Sequence, residues 1–349
     1  MSYTSLICDQ PGYFRYRQDQ LEPTPPSTNT PTALLKVKQV GICGTDLHAF
    51  EGTQPFFQYP RILGHEICAE IVELPPMAIN PHNFQPGDLV TLIPYFSCGS
   101  CIACRSQKPN CCSSIQVFGV HIDGGLRQFI QVPVSALVKG NNMSPDQLAL
   151  VEPLAIGAHA VRRANLQAGE YILVIGAGPI GLGLMEMARL TGAVVIAMDV
   201  NKARLTFCQE NLGIQHVINP KEQDADEAIK QITNDDMATA VFDATGNLNA
   251  IEGGLNFLAH GGRFVLVGLQ KQAFSFSHPE FHKRESTLMS SRNATRNEFD
   301  WVISSLQSNQ IQPANYITHR IAFSQLAEQF KSLSNPSNGV IKAMVDMEA

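Results

Sequence analysis

Five of the nine cysteines crowd between Cys98 and Cys112. Cys98, Cys101, Cys104 and Cys112 follow the spacing C-x2-C-x2-C-x7-C, short enough for one segment to wrap a tetrahedral ion with four thiolates and leave no position open. A site closed in this way is structural. Cys111 competes for the fourth place, and Cys112 is taken as the ligand. Thiols so grouped point to metal before disulfides, because the cytosol keeps thiols reduced. The start of the chain, MSYTSLICDQPGYFRYRQDQ, has no basic segment followed by an apolar core and a small-residue cleavage site, so a cytoplasmic protein is expected.

A second constellation is dispersed: Cys43 in GICGTDLH, the pair His65-Glu66 in LGHE, and Glu152 in VEPLA. A thiolate, an imidazole and a carboxylate hold zinc with the fourth position open to substrate, as a catalytic ion requires. A third pattern, Gly176-Ala177-Gly178-Pro179-Ile180-Gly181, follows the apolar run YILVI and opens a helical stretch. The first glycine makes the tight turn, the second admits a pyrophosphate and the third lets helix and strand pack closely. Asp199 lies 21 residues after Gly178, where a carboxylate takes the ribose hydroxyls and disfavours a 2′-phosphate. NAD is therefore expected over NADP. Arg204 can lie over the adenine or face solvent.

These residues need two kinds of element to position them. From about 33 to 140 the chain reads as short β-like runs (ALLKVKQV, ICAEIVEL, DLVTLIP, LRQFIQVP) between Gly, Pro, Asn and Asp clusters, a small β-domain. Residues 22–32, with four prolines, read as an irregular surface connection. After about 145, strands alternate with helical patterns: YILVI, AVVIAMD, HVIN, TAVFDATG, GGRFVLVGL and STLMSS, with helices between them, one from about Lys221 and one near 249–259. That alternation predicts an α/β architecture with a doubly wound parallel sheet. The last stretch has no place in that sheet and is assigned to the first domain. The domains are read as 1–147 with 288–349, and 148–287.

Composition excludes other classes. With 44% hydrophobic and 16% charged residues the chain is globular, and a net charge of 25 − 31 = −6 offers no field for nucleic acid or anionic lipid. The most apolar stretch, Tyr171 to Leu190, is broken by four glycines and Glu186, short of the roughly 18 apolar residues a membrane helix needs. The absence of a basic-aromatic stripe further argues against a nucleic-acid-binding zinc module. A non-catalytic zinc- and nucleotide-binding protein is a further alternative, but the ligand residues and glycine turn are all present.

GICGTDLHAFEG, LGHE, the four-cysteine lobe, VEPLA and GAGPIG stand in the order and spacing of the zinc-dependent medium-chain alcohol and polyol dehydrogenases, which the chain resembles over essentially its whole length. The resemblance implies a GroES-like domain carrying two zinc ions per chain, one catalytic and one structural, and a Rossmann domain carrying NAD. It places Cys43, His65 and Glu152 as catalytic zinc ligands, with Glu66 either approaching the metal or standing behind the ligands. Thr45 and His48 take the proton-relay positions. The family habit is a homodimer or homotetramer formed through the Rossmann domains.

The segments CIACRSQKPNCC, QVFGVHIDGGLRQFI and SRNATR look most like a bacterial branch that includes L-galactonate and L-gulonate dehydrogenases. The substrate this implies is a small hydroxylated molecule, a sugar acid oxidised at a secondary hydroxyl. Arg292 falls where polyol dehydrogenases place a substrate-facing arginine, and Arg292 or Arg296 could grip the carboxylate in a bidentate pair. A neutral polyol, a vicinal diol or threonine are the alternative substrates. Cys8, Cys68, Cys111 and Cys208 are expected to be buried packing residues.

Overall fold

The computed structural model describes residues 2–21, 31–55, 57–76 and 82–349. Most of the connection read at 22–32 lies outside them. The chain divides into two compact units, Met1–Glu152 with Thr295–Ala349, and Pro153–Ala294.

The first unit is built on a seven-stranded sheet. Its central strand, Thr32–Ile42, turns Ala33, Leu35 and Val37 inward and alternates them with Lys36 and Lys38, the period-two pattern of a sheet with one buried face. A register shift between Val37 and Gln39 resets the alternation so that Val40, Gly41 and Ile42 are all buried. The strand pairs antiparallel with Glu66–Glu73 on one side, Gly41 facing Glu66. Lys342–Asp346 pairs on the other side, Ala343 facing Ile42. Residues far apart in sequence thus meet at one end of three neighbouring strands. The core behind them includes Leu6, Leu35, Ile67 and Phe330.

Two strands absent from the sequence reading, Ser2–Gln10 and Tyr13–Gln20, form an antiparallel hairpin on the same unit. The chain returns at Thr295, which forms a reciprocal cap with Glu298 at the start of the helix Arg296–Gln307.

The second unit is a six-stranded, wholly parallel sheet. Across the sheet, the strands run His216–Ile218, Val194–Met198, Tyr171–Ile175, Ala238–Asp243, Leu258–Leu266 and Thr287–Ser290. The order reverses at Tyr171–Ile175, which makes that strand's carboxyl end the binding crevice of such sheets. Two helices differ from expectation. The one read from Lys221 begins at Ala225, because the Asp224 side chain accepts the Glu227 N–H at 3.1 Å and caps it there. The one read near 249–259 is Leu248–Gly254 with a 3-10 turn to Phe257, and the chain is already a strand from Leu258. Among the described residues no helix is long and apolar enough to cross a membrane.

Helix packing within this unit depends on Gly157, where an added Cβ would stand 2.6 Å from the Leu184 nitrogen. Backbone cannot yield as a side chain can, so Gly157→Ala is expected to destabilise the protein by about 1–3 kcal/mol in urea denaturation. Gly253, also helical but with nothing within 4 Å of an added Cβ, is the contrast: Gly253→Ala should stabilise by about 0.5–1 kcal/mol. Equal shifts for the two would contradict the close approach.

Candidate active site

Cys43 ends the extended run and caps the helix Gly44–Phe50. The helix is fixed there by Asp46, whose carboxylate accepts the Cys43 N–H at 2.9 Å and the Gly64 N–H at 3.1 Å. One buried carboxylate thereby ties the segment of Cys43 to the segment of His65. Its Oδ1 also stands 3.7 Å from His65 Nδ1, too far for a hydrogen bond but close enough to orient the ring's charge. Burial raises the Asp46 pKa, while His65 and the two backbone donors oppose that rise. Burial works against protonating His65, but Asp46, Cys43 and Glu152 outweigh it and hold its pKa well above the usual imidazole range. Nothing in the sequence motifs singled out Asp46.

The thiol of Cys43, a ring nitrogen of His65 and a carboxylate oxygen of Glu66 lie within 4.8 Å of one another. His65 Nδ1 is buried without a hydrogen-bond partner among the described residues. A soft thiolate, an imidazole and a carboxylate form a donor set that fits zinc, and the buried Nδ1 faces Asp46. Glu66 and Glu152 are both buried, but each has its own anchor: Lys342 donates to both Glu66 oxygens, at 2.6 and 2.7 Å, and the Tyr95 hydroxyl donates to Glu152. Glu152 falls outside the 4.8 Å group. Burial, then the Glu66 charge, push its carboxyl up to about 7 against the pull of His65, Tyr95 and Lys342. Tyr95 and Lys342 escaped the sequence reading, since neither residue type announces a metal site.

Thr45 is half-buried on the same helix, and His48 is exposed one turn later. The His48 Nδ1 lies 3.1 Å from the Thr53 hydroxyl and 3.8 Å from Glu51, with 61% of its side chain in solvent.

The cysteine lobe gathers Cys98, Cys101, Cys104 and Cys112, their sulfurs within 4.8 Å of one another. Four sulfurs about 2.3 Å from one tetrahedral ion stand about 3.8 Å apart. The distances Cys101–Cys104, Cys98–Cys112 and Cys98–Cys104 are 3.4, 3.5 and 4.0 Å, so the lobe fits zinc without rearrangement. Hydrogen bonds from Ser100 pull the Cys98 thiol down to about 5, and the Cys104 N–H helps bring Cys101 to about 7. Burial instead pushes Cys104 up to about 11. Cys8, Cys68 and Cys208 are buried, but Cys111 is exposed. It sits in the short turn Pro109–Cys111, which turns its neighbour Cys112 inward and leaves Cys111 facing water.

In the second unit the three glycines are distinguishable by what a side chain would meet. Gly176, at φ +103°, would press a Cβ against Thr245 at 2.7 Å, and Gly181 would meet the Gly176 carbonyl. At Gly178 the nearest atom is Arg204 Nη1 at 3.7 Å, so the space beside the helix start is open. Gly178 caps the helix Pro179–Arg189, with Pro179 in its first turn, Ile180 half-buried and the N–H groups of that turn aimed outward. Asp199 accepts the Ala177 N–H at 2.7 Å and the Asn201 N–H at 2.8 Å; each oxygen keeps a lone pair for a hydroxyl. Asp243, unmarked in the sequence, accepts from the backbone of Thr245 at 3.2 Å and of Gly246 at 2.9 Å, and so shapes the neighbouring loop. Arg292 is exposed, while Arg296 is half-buried and donates to the Ser135 carbonyl at 2.9 Å.

Comparison with known proteins bears on this arrangement. A family model described as alcohol dehydrogenase GroES-like domain matches residues 30–142, and one described as zinc-binding dehydrogenase matches residues 179–308. The chain is similar to an L-galactonate-5-dehydrogenase of Escherichia coli K12, 43% identical over 97% of this chain and 98% of the relative. Among solved structures, a short chain alcohol dehydrogenase of Escherichia coli CFT073 complexed with NADH is 27% identical and superposes with a TM-score of 0.89, covering 99% of both chains. A zinc-binding dehydrogenase of Sinorhizobium meliloti 1021 bound to NADP is 25% identical with a TM-score of 0.90, covering 99% of this chain and 100% of that one.

Metal counting separates the two neighbouring cysteines of the lobe. Purified Cys111→Ser is expected to carry two zinc ions per chain by atomic absorption and Cys112→Ser only one. Two ions in both variants would remove Cys112 from the ligand set.

Proposed function

The chain belongs to the zinc-binding dehydrogenase family with a GroES-like domain, and from that membership we propose that it oxidises a secondary hydroxyl of a sugar acid of the L-galactonate kind to the ketone. The observation that carries the reaction class is the grouping of the half-buried Cys43 thiol, a ring nitrogen of buried His65 and the buried Glu66 carboxylate within 4.8 Å of one another. The 43% identity to L-galactonate-5-dehydrogenase supports the substrate class. When bound, zinc supplies Lewis acidity that eases loss of the hydroxyl proton, and NAD supplies the acceptor of the hydride.

In this reading Cys43, His65 and Glu152 hold the catalytic ion and Cys98, Cys101, Cys104 and Cys112 the structural one. The Thr45 hydroxyl receives the substrate proton and passes its own toward His48, whose exposed ring delivers it to water. Gly176, Gly178, Pro179, Ile180 and Gly181 seat the pyrophosphate, and Arg204, whose Nη1 is the nearest atom to a Cβ added at Gly178, lies over the adenine. Asp199 accepts from the adenosine ribose, and its charge favours NAD over a cofactor with a 2′-phosphate. Arg292 or Arg296 supplies the guanidinium for the substrate carboxylate; Arg296 gives one N–H to the Ser135 carbonyl and keeps further donors. The protein acts in the cytoplasm as a homodimer or homotetramer.

The test is NADH formation, followed by absorbance, against L-galactonate, L-gulonate, sorbitol, butanediol and threonine, before and after chelation. Turnover of the sugar acids alone, abolished by the chelator, is the expected result, and turnover of neutral polyols alone would discard the carboxylate. Cys43→Ser should lose turnover while retaining NADH binding by fluorescence titration. Arg292→Ala should lower kcat/KM for the sugar acid by about 10- to 100-fold, the loss of one charged hydrogen-bonded contact. An unchanged value would remove Arg292 from the substrate site.

A further inference from the structure

The short helix His278–Lys283 of the second unit carries two histidines in the spacing His-x3-His. Residues four apart stand one above the other on a helix face, and the ring centroids of His278 and His282 are 6.0 Å apart. Both residues are exposed, and neither ring enters a hydrogen bond or ion pair among the described residues. The charged neighbours lie elsewhere. At about 100° per residue, Glu280, Lys283 and Arg284 fall on the far side of the helix from the pair, where Glu280 stands 4.0 Å from Lys283 and 3.8 Å from Arg284. A helix this short does not hold itself together in water, but this one is pinned. Pro279 lies in its first turn, and the Phe281 ring packs 5.0 Å from that of Phe276. At the other end Arg284 donates to the Asn256 and Leu258 carbonyls at 2.9 and 2.7 Å, and its own carbonyl accepts the Gly261 N–H at 2.6 Å.

The backbone thus presents two free imidazoles in a fixed relation. Two such rings bound through nitrogen to one tetrahedral ion have centroids about 5 Å apart, so a small rotation of two solvent-facing side chains closes this pair on a metal. Imidazole nitrogen suits zinc, copper and nickel, whereas magnesium and calcium take oxygen ligands. We propose that His278 and His282 form a third metal site, one for a late first-row divalent transition ion. Two protein donors leave the remaining coordination positions to water, so the ion exchanges readily, unlike one enclosed by four thiolates. The site shares no residue with the cysteine-bearing sites or the glycine turn, and stands independently of the dehydrogenase reading.

The probe is Ni(II), titrated by calorimetry into the untagged full-length protein after dialysis to constant zinc content; copper is avoided because it competes for thiolates. One saturable site per chain is expected. His278→Asn and His282→Asn should each weaken it at least about tenfold, because the remaining donor then has no linked partner. His82→Asn, at another exposed histidine in the first unit, should leave it unchanged. His282→Lys combined with Lys283→His keeps the composition but turns the second imidazole about 100° further round the helix, and should weaken binding as the single variants do. Retained zinc and NADH binding should match the unmodified chain in all of these, a check that each variant is folded. Ni(II) affinity unchanged in either single variant or in the exchanged pair would overturn the proposal, as would the absence of saturable Ni(II) binding by the unmodified chain.

Discussion

The constraint on which the structure turns is the burial of several acidic groups around one point. Asp46, Glu66 and Glu152 are all at most 3% exposed, and the thiol of Cys43 stands among them. An isolated buried carboxylate is several kcal/mol too costly to survive in an interior, so each must be answered. Asp46 is answered by two backbone N–H groups and His65, Glu66 by Lys342, and Glu152 by Tyr95. One ammonium does not neutralise the set, and His65 must be neutral to serve as a ligand. A divalent cation at the thiol–imidazole–carboxylate grouping would supply most of the missing positive charge, so the demand for metal is built into the charges as well as the ligand types.

That demand explains the local architecture of the first unit. Three adjacent strands must end in register so that Gly41, Glu66 and Lys342 meet, and the register shift after Val37 makes room by burying consecutive residues where strict alternation would expose every second one. The capped helix that starts at Cys43 then returns its third residue, Asp46, to the strand end. Of the candidate ligands, Cys43, Glu66 and Glu152 are tied by hydrogen bonds independent of any ion, so removing a bound zinc should leave these donors close to where they stand.

Much of the site was legible in the sequence where a motif carries it. The cysteine spacing, the glycine turn after YILVI and the run of alternating strands and helices each encode local geometry, and local geometry is what spacing records. Tyr95, Lys342 and Asp46 were not legible, because their roles arise from tertiary pairing and their residue types are common on surfaces and in caps. The N-terminal hairpin was missed for a related reason: the strand Tyr13–Gln20 is mostly exposed and polar, so it lacks the apolar alternation that marks a half-buried strand. Cys111 shows the limit of composition, since a cysteine beside a buried neighbour was read as buried and a single tight turn decided otherwise.

The glycines sharpen the same distinction. Gly176 and Gly181 are recognisable because their absent side chains serve a contiguous turn whose neighbours lie within a few residues or in the loop that follows the adjacent strand. Gly41 serves an absent side chain too, but the atom it admits belongs to Glu66, and the partner that holds that atom lies at the far end of the chain. No window along the sequence contains all three. What joins them is the rule that a buried charge must have both room and a counter-charge, and that rule acts only once the strands have paired. The residues that answer a buried charge can therefore be silent in sequence while the motif residues are plain, and they become visible only as the volume a missing Cβ leaves and the ammonium that faces it.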